Sequence, residues 1–114
     1  MGNPVVHWEI SGPNAGALQP FYAELFGWKI DADNPYQYGQ VDTQADAGIN
    51  GGIGSGEGQN RVTVYVAVPD LQAALDRVET LGGKTVMGPT EIPGAVTMAM
   101  FTDPEGNLMG LLQR

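Results

Sequence analysis

The sequence contains no cysteine and few other nucleophilic side chains. Without cysteine the chain cannot form disulfides, thiolate zinc sites or a cysteine nucleophile. The serines, Ser11 and Ser55, do not lie in a G-x-S-x-G motif, which argues against a serine hydrolase. His7 is the only histidine. The question is whether this imidazole is one ligand of a metal site or lies in a pocket without a metal.

Positive charge is also scarce, because five Lys+Arg stand against thirteen Asp+Glu and give a formal net charge of −8 at pH 7. Nucleic-acid binding relies on clustered cations that neutralise phosphates, and here the cations are scattered along the chain. We therefore predict no nucleic-acid partner. The negative charge most simply provides solubility, and it favours a cationic ligand over an anionic one.

No apolar run approaches the roughly 20 residues that a membrane-spanning helix needs, and the N-terminus lacks the basic and then apolar pattern of a signal peptide. With 42% hydrophobic and 16% charged residues, the 114-residue chain has the composition of a compact globular domain. We therefore predict a single domain over residues 1–114, cytoplasmic and with no membrane partner.

A strand followed by a helix opens the chain. In PVVHWEIS, residues 4–11, side chains alternate as in a half-buried strand, with His7 and Glu9 on one face and Trp8 on the other, under the helix. Pro20 predicts that the regular helix starts near this residue or kinks there, and Gly27 predicts its end. The apolar stripe of this helix consists of Leu18, Phe21, Tyr22, Leu25 and Phe26. Three short strands are expected next, at about Trp28–Ala32, Tyr36–Val41 and Ala47–Ile53.

The same pattern returns after residues 54–60 (GSGEGQN), which are typical of a flexible connector. Arg61–Val68 alternates as a strand, with Thr63 and Tyr65 on one face. Asp70 predicts the start of a second helix, and Gly82 with Gly83 its end. The apolar stripe of this helix is Leu71, Ala74, Leu75 and Val78. Three more strands are expected at about Lys84–Met87, Val96–Thr102 and Leu108–Leu112, with a turn at Asp103-Pro104-Glu105-Gly106 before the last.

This duplicated order, with a spacing of about 56 residues between His7 and Thr63, implies an α+β fold of two similar modules. The first module covers about residues 4–53 and the second about residues 61–112. In each, the helix would cover one face of the sheet. The other faces, which carry His7 and Glu9 or Thr63 and Tyr65, would line a shared groove for a ligand.

The sequence resembles the vicinal oxygen chelate superfamily, which includes glyoxalase I, bleomycin-resistance proteins and extradiol dioxygenases. The resemblance spans nearly the whole chain and is carried by four features: His7 in the first strand, FYAELFGW at residues 21–28, VPDL at 68–71 and DPEGN at 103–107. The resemblance implies two tandem βαβββ modules in a cup-shaped mixed eight-stranded sheet, with the helices on its outer face. It also implies a homodimer, in which modules pair within one chain or between two chains.

Enzymes of this superfamily hold a divalent metal in the cup, with ligands from the first and last strands of each module. Carried over residue by residue, these positions are His7 and Thr63 in the first strands, and Gly52 (or Gly51) and Gly110 in the last strands. Glycine has no donor side chain and a threonine hydroxyl is a poor ligand, whereas a catalytic zinc typically uses three protein ligands. The resemblance therefore implies that the usual metal cofactor is absent, with His7 the one retained ligand position.

The predicted ligand-binding residues are His7, Glu9, Trp28, Gly52, Thr63, Tyr65, Met98, Met100 and Gly110. His7 and Glu9 would orient a ligand or form a base tuned by a carboxylate; alternatively, the histidine is merely satisfied by water or a backbone group. The aromatic and methionine side chains would line an apolar cup, although they also suit an ordinary core. The two glycines would widen the cup, since glycine in a strand often marks a close approach of a ligand.

These residues favour a non-enzymatic protein, similar to the bleomycin-resistance type, that binds a small organic molecule such as a drug or a metabolite. The alternative is a metal-dependent lyase or dioxygenase of the superfamily with displaced ligands. A third interpretation is an interaction module whose protein partner matters more than any ligand.

Overall fold

The computed structural model describes residues 2–114, in which two helices and eight strands follow the duplicated order predicted from the sequence. The elements are β1 (Val5–Ser11), α1 (Ala15–Phe26), β2 (Lys29–Asp31), β3 (Gly39–Asp42), β4 (Gly51–Gly54), β5 (Arg61–Val68), α2 (Leu71–Thr80), β6 (Lys84–Glu91), β7 (Thr97–Thr102) and β8 (Leu108–Gln113). The hydrogen-bonded strand order is β2-β3-β4-β1-β5-β8-β7-β6. The prediction of an α+β fold with a mixed eight-stranded sheet is confirmed.

Contacts divide the chain into two compact units. The first unit is His7–Thr63, and the second unit is Val64–Arg114 together with the segment that ends at Val6. In the first unit β1 runs parallel to β4, with Glu9 opposite Gly52, and β3 is antiparallel to β2 and β4. In the second unit β5 runs parallel to β8, with Tyr65 opposite Gly110, and β7 is antiparallel to β6 and β8. Each unit therefore has one parallel strand pair beside antiparallel pairs.

Helix α1 begins earlier than Pro20 predicts. The Asn14 side chain accepts a hydrogen bond from the Ala17 backbone N–H at 3.2 Å, and this N-cap starts the helix at Ala15. Pro20 lies inside the helix, so its missing N–H removes one bond of the helical ladder without preventing the first turns. The predicted end is confirmed, because Gly27 follows the helix with a left-handed φ of 69°.

The apolar stripe of α1 is more exposed than predicted. No residue of this helix is buried, and Phe21, Leu25 and Phe26 are 57%, 57% and 56% exposed. At its end, Phe26 contacts Trp28 with ring centroids 4.9 Å apart, and Trp28 in turn lies 5.1 Å from Trp8. Trp8, which was predicted to lie under the helix, is only half-buried, and its Nε1 donates to the Ile49 carbonyl at 3.0 Å.

Helix α2 packs as its stripe predicts. Asp70 is the N-cap and accepts from the Ala73 N–H at 3.0 Å, and Leu71 and Leu75 are each 1% exposed. They form the core of the second unit with Val68, Ala99 and Leu111. Neither helix of residues 2–114 combines the length and apolar character that crossing a membrane requires.

Two connections, the connector at residues 54–60 and the turn predicted before β8, are held by hydrogen bonds. Within the connector, Gly56–Gly58 form a 3₁₀ turn, and the Ser11 hydroxyl donates to the Gln59 carbonyl at 3.0 Å. At the turn before β8, the Asp103 carboxylate accepts hydrogen bonds from the Asn107 side chain and from backbone N–H groups. These bonds, chiefly the one from the Asn107 side chain, hold the pKa of Asp103 below its ordinary value.

Candidate functional site

The histidine of the first unit is paired with a tyrosine. Nε2 of His7 and the hydroxyl oxygen of Tyr38 are 2.8 Å apart, and their ring centroids are 6.3 Å apart. Both side chains are half-buried. The fold brings them together although the two residues are 31 positions apart in the sequence. The imidazole accepts from the phenol in one tautomer and donates to it in the other. The pair therefore places a hydrogen-bond donor and an acceptor side by side next to β1.

A compact turn positions Tyr38. The Asn34 side chain donates from Nδ2 to the Tyr38 carbonyl at 2.7 Å, and its Oδ1 accepts from the Tyr38 N–H at 3.0 Å and from the Tyr36 N–H at 3.2 Å. Because this turn occupies residues 34–38, β3 begins at Gly39 and not at the predicted Tyr36. β4 likewise begins at Gly51 and not at the predicted Ala47. In the segment before it, the Asn50 side chain accepts a hydrogen bond from the Thr43 N–H.

The Tyr38 ring covers Gly52. A Cβ atom built on Gly52 would overlap the Tyr38 hydroxyl and ring carbons, so this close approach requires glycine. Gly52 is opposite Glu9 in the parallel pair, and the side chains of His7 and Glu9 point to one face by alternation. The structure thus brings together the predicted residues His7, Glu9 and Gly52, and adds Tyr38.

In the second unit, Gly110 is covered by a tyrosine ring in the same way. Tyr65 is 4% exposed, and a Cβ on Gly110 would overlap its ring. Around this ring Met100 and Leu112 are buried and Met98 packs against them, so the predicted site residues Tyr65, Met98 and Met100 lie in one apolar cluster. The prediction that Gly52 and Gly110 widen a binding space is wrong, because each glycine makes room for a tyrosine ring of its own unit.

Two other predicted residues lie elsewhere. Trp28 contacts Trp8, Tyr22 and Phe26. Trp8 precedes Glu9 and follows His7 in β1, so its ring is on the opposite face of the strand from them. Thr63, at the end of the first unit, is 3% exposed and its hydroxyl has no hydrogen-bond partner within residues 2–114.

The residues at the four metal-ligand positions of the superfamily do not fit a divalent metal. They supply one imidazole, which is hydrogen-bonded to Tyr38, and one threonine hydroxyl, while both glycines are covered by tyrosine rings. Within the described part of the chain, no three His, Asp or Glu side chains form a group that could hold a metal ion. Stable coordination of zinc or non-haem iron needs about three such ligands.

A family model described as a glyoxalase-like domain matches residues 8–112. The chain belongs to this family. The match covers both units, and it confirms the resemblance to the superfamily that was inferred from His7 and residues 21–28, 68–71 and 103–107.

Named relatives of this glyoxalase-like domain are longer proteins. The chain is 31% identical over 117 residues to the anthracycline biosynthesis protein DnrV of Streptomyces peucetius, a match that covers 87% of the chain and 42% of the relative. It is 33% identical over 114 residues to the putative glyoxylase CFP32 of Mycobacterium tuberculosis (strain CDC 1551 / Oshkosh), a match that covers 92% of the chain and 43% of that protein. The chain thus spans less than half the length of these curated relatives.

A solved structure shares the fold of the glyoxalase-like domain. A glyoxalase/bleomycin resistance protein/dioxygenase superfamily member from Vibrio splendidus 12B01 superposes with a TM-score of 0.66 and 18% identity, over 99% of this chain and 100% of the other. At this identity the likeness establishes the fold alone.

Two surface grooves of the glyoxalase-like domain contain none of the predicted site residues. Two grooves of the second unit have volumes of about 470 and 400 Å³. The first lies beside Glu91 and Arg114, and the second lies between α2 and Val66 and Phe101.

The residue that sequence reasoning missed is Tyr38. Its signal was the glycine in β4, because a glycine inside a strand often accommodates an aromatic side chain that lies across it.

Proposed function

We propose that this glyoxalase-like domain binds a small organic molecule, a drug or a metabolite, without a metal in the family's ligand positions. The observation that carries the proposal is the His7–Tyr38 hydrogen bond above Gly52. This bond gives the imidazole a partner within the protein. The phenol also occupies the space that a metal-coordinating side chain at position 52 would need. Imidazole and phenol groups are polar groups of the kind that orient an organic molecule in a largely apolar site.

The relatives support a role with organic compounds, since one is named for the biosynthesis of an anthracycline and another is named a putative glyoxylase. On this proposal the domain resembles bleomycin-resistance proteins in holding a compound and not transforming it. A homodimer and a cytoplasmic location stay predictions.

Thermal unfolding with a compound library, in buffer containing a chelator, tests the proposal. We expect at least one organic compound to raise the melting temperature with the chelator present, because a ligand that binds only the folded state stabilises it. The affinity of the domain for this compound should fall about three- to tenfold in Tyr38→Phe, the effect of losing one hydrogen bond. We expect the affinity to fall in His7→Ala as well. The matched control is Tyr36→Phe, which alters an exposed tyrosine of the same turn and should leave the affinity unchanged.

Two results would count against the proposal. One is the absence of any stabilising compound. The other is stabilisation that disappears on chelation and returns with a divalent ion, which would favour a metal-dependent lyase or dioxygenase with non-standard ligands.

A further inference from the structure

Two buried polar atoms at the start of β5 have no hydrogen-bond partner within residues 2–114. They are Nε of Arg61 and the hydroxyl oxygen of Thr63. The two residues are separated by one position in a strand, so their side chains project to the same face. Buried polar atoms are almost always paired in native proteins, and two orphans on one face therefore call for an explanation.

Both groups can donate, and one of them can only donate. The guanidinium Nε–H has no acceptor function, whereas the threonine hydroxyl can donate or accept. The complement of two such donors is a group with two acceptor oxygens. A carboxylate has this composition, and hydrogen bonds between a guanidinium and a carboxylate are stronger than those between neutral groups.

We propose that Arg61 and Thr63 bind a carboxylate group of the organic ligand. This inference rests on the proposed function and narrows its ligand to an organic carboxylate. The start of β5 is anchored at this site, because the Ser11 hydroxyl donates to the Gln59 carbonyl at 3.0 Å and lies 3.4 Å from the Arg61 carbonyl oxygen. The two donors therefore project from an anchored strand end, which reduces the entropic cost of binding.

The net charge of −8 opposes an anionic ligand at long range. At physiological ionic strength, however, exposed charges are screened beyond about 8 Å. Contact with the guanidinium and the hydroxyl acts at hydrogen-bond distance, where this screening is weak. We therefore expect attraction to the local donors to outweigh repulsion by the net negative charge. The ligand would then be an anion, and not the cation that composition alone favours.

Titration with 3-phenylpropanoate and its neutral analogue 3-phenylpropanamide tests the inference. In ¹H–¹⁵N spectra of the labelled chain, the carboxylate should shift the Arg61 side-chain Nε–H signal and bind about tenfold tighter than the amide, as expected for gaining a charge-assisted bond. Arg61→Gln should make the two probes bind equally. Arg77→Gln, which changes an exposed arginine of α2, is the matched control and should keep the preference.

Thr63→Val separates a binding role from a structural one. Removing an unpaired buried hydroxyl should maintain or raise the melting temperature, while carboxylate binding should weaken about fivefold. Equal affinity for the two probes in the unmodified chain, no binding of the carboxylate, or a preference that survives Arg61→Gln would each overturn the inference. If library compounds still bind through His7 and Tyr38 in those cases, the proposed function stands and only the carboxylate assignment falls.

Discussion

Gly110→Ala is expected to lower the free energy of unfolding by about 2–3 kcal/mol, the cost of overpacking a well-filled core. The added methyl group would overlap the ring of Tyr65, and this ring cannot move aside because it is 4% exposed and packed against Met100 and Leu112. Chemical denaturation followed by circular dichroism measures the change.

Gly88→Ala is the matched control for this substitution. Gly88 also lies in a strand of the second unit, but a Cβ built there meets nothing within 4 Å. Alanine at position 88 should change stability by less than about 0.5 kcal/mol, as most surface substitutions do. Equal effects of the two substitutions would show that the tyrosine ring does not lie across Gly110.

Gly52→Ala should cost about 1–2 kcal/mol, because the new methyl group would force the Tyr38 ring away and break its hydrogen bond to His7. The effect is expected to be smaller than at Gly110, since Tyr38 is half-buried and can swing toward solvent. The signals of the His7 imidazole nitrogens in ¹⁵N spectra should change with the loss of this bond.

A double-mutant cycle isolates the contact. In a Tyr38→Ala background the space above Gly52 is free, so Gly52→Ala should then cost little, and the coupling energy should reach about 1 kcal/mol or more. Additive effects of the two substitutions would contradict the placement of the phenol above this glycine.

The fold was largely predictable because its signals are local. Alternation in Arg61–Val68, the Asp70 cap and the left-handed Gly27 each specify an element through nearby residues, and the structure has all three. The errors lie at element boundaries, where a single asparagine side chain organises the three or four residues that follow it. Asn34 holds a five-residue turn that delays β3, and Asn14 starts α1 ahead of Pro20.

The site was only partly predictable. Periodicity placed His7 and Glu9 on one face, and counting along the strands located Gly52 and Gly110, each beside a parallel partner strand. What occupies the space over a glycine depends on residues far away in the sequence, and no periodicity links Tyr38 to His7. The unpaired atoms of Arg61 and Thr63 were equally invisible, since a missing hydrogen bond can be recognised only from coordinates.

Metal analysis is the most direct test of our proposal that the residues at the ligand positions of the superfamily, two of them glycines covered by tyrosine rings, do not hold a metal ion. The protein, purified without a metal-binding tag, is incubated separately with zinc, nickel, manganese and ferrous ions, desalted, and its metal content measured by mass spectrometry beside His7→Ala. We expect substoichiometric metal in every case, unchanged by the substitution. One ion per chain that is lost in His7→Ala would contradict it.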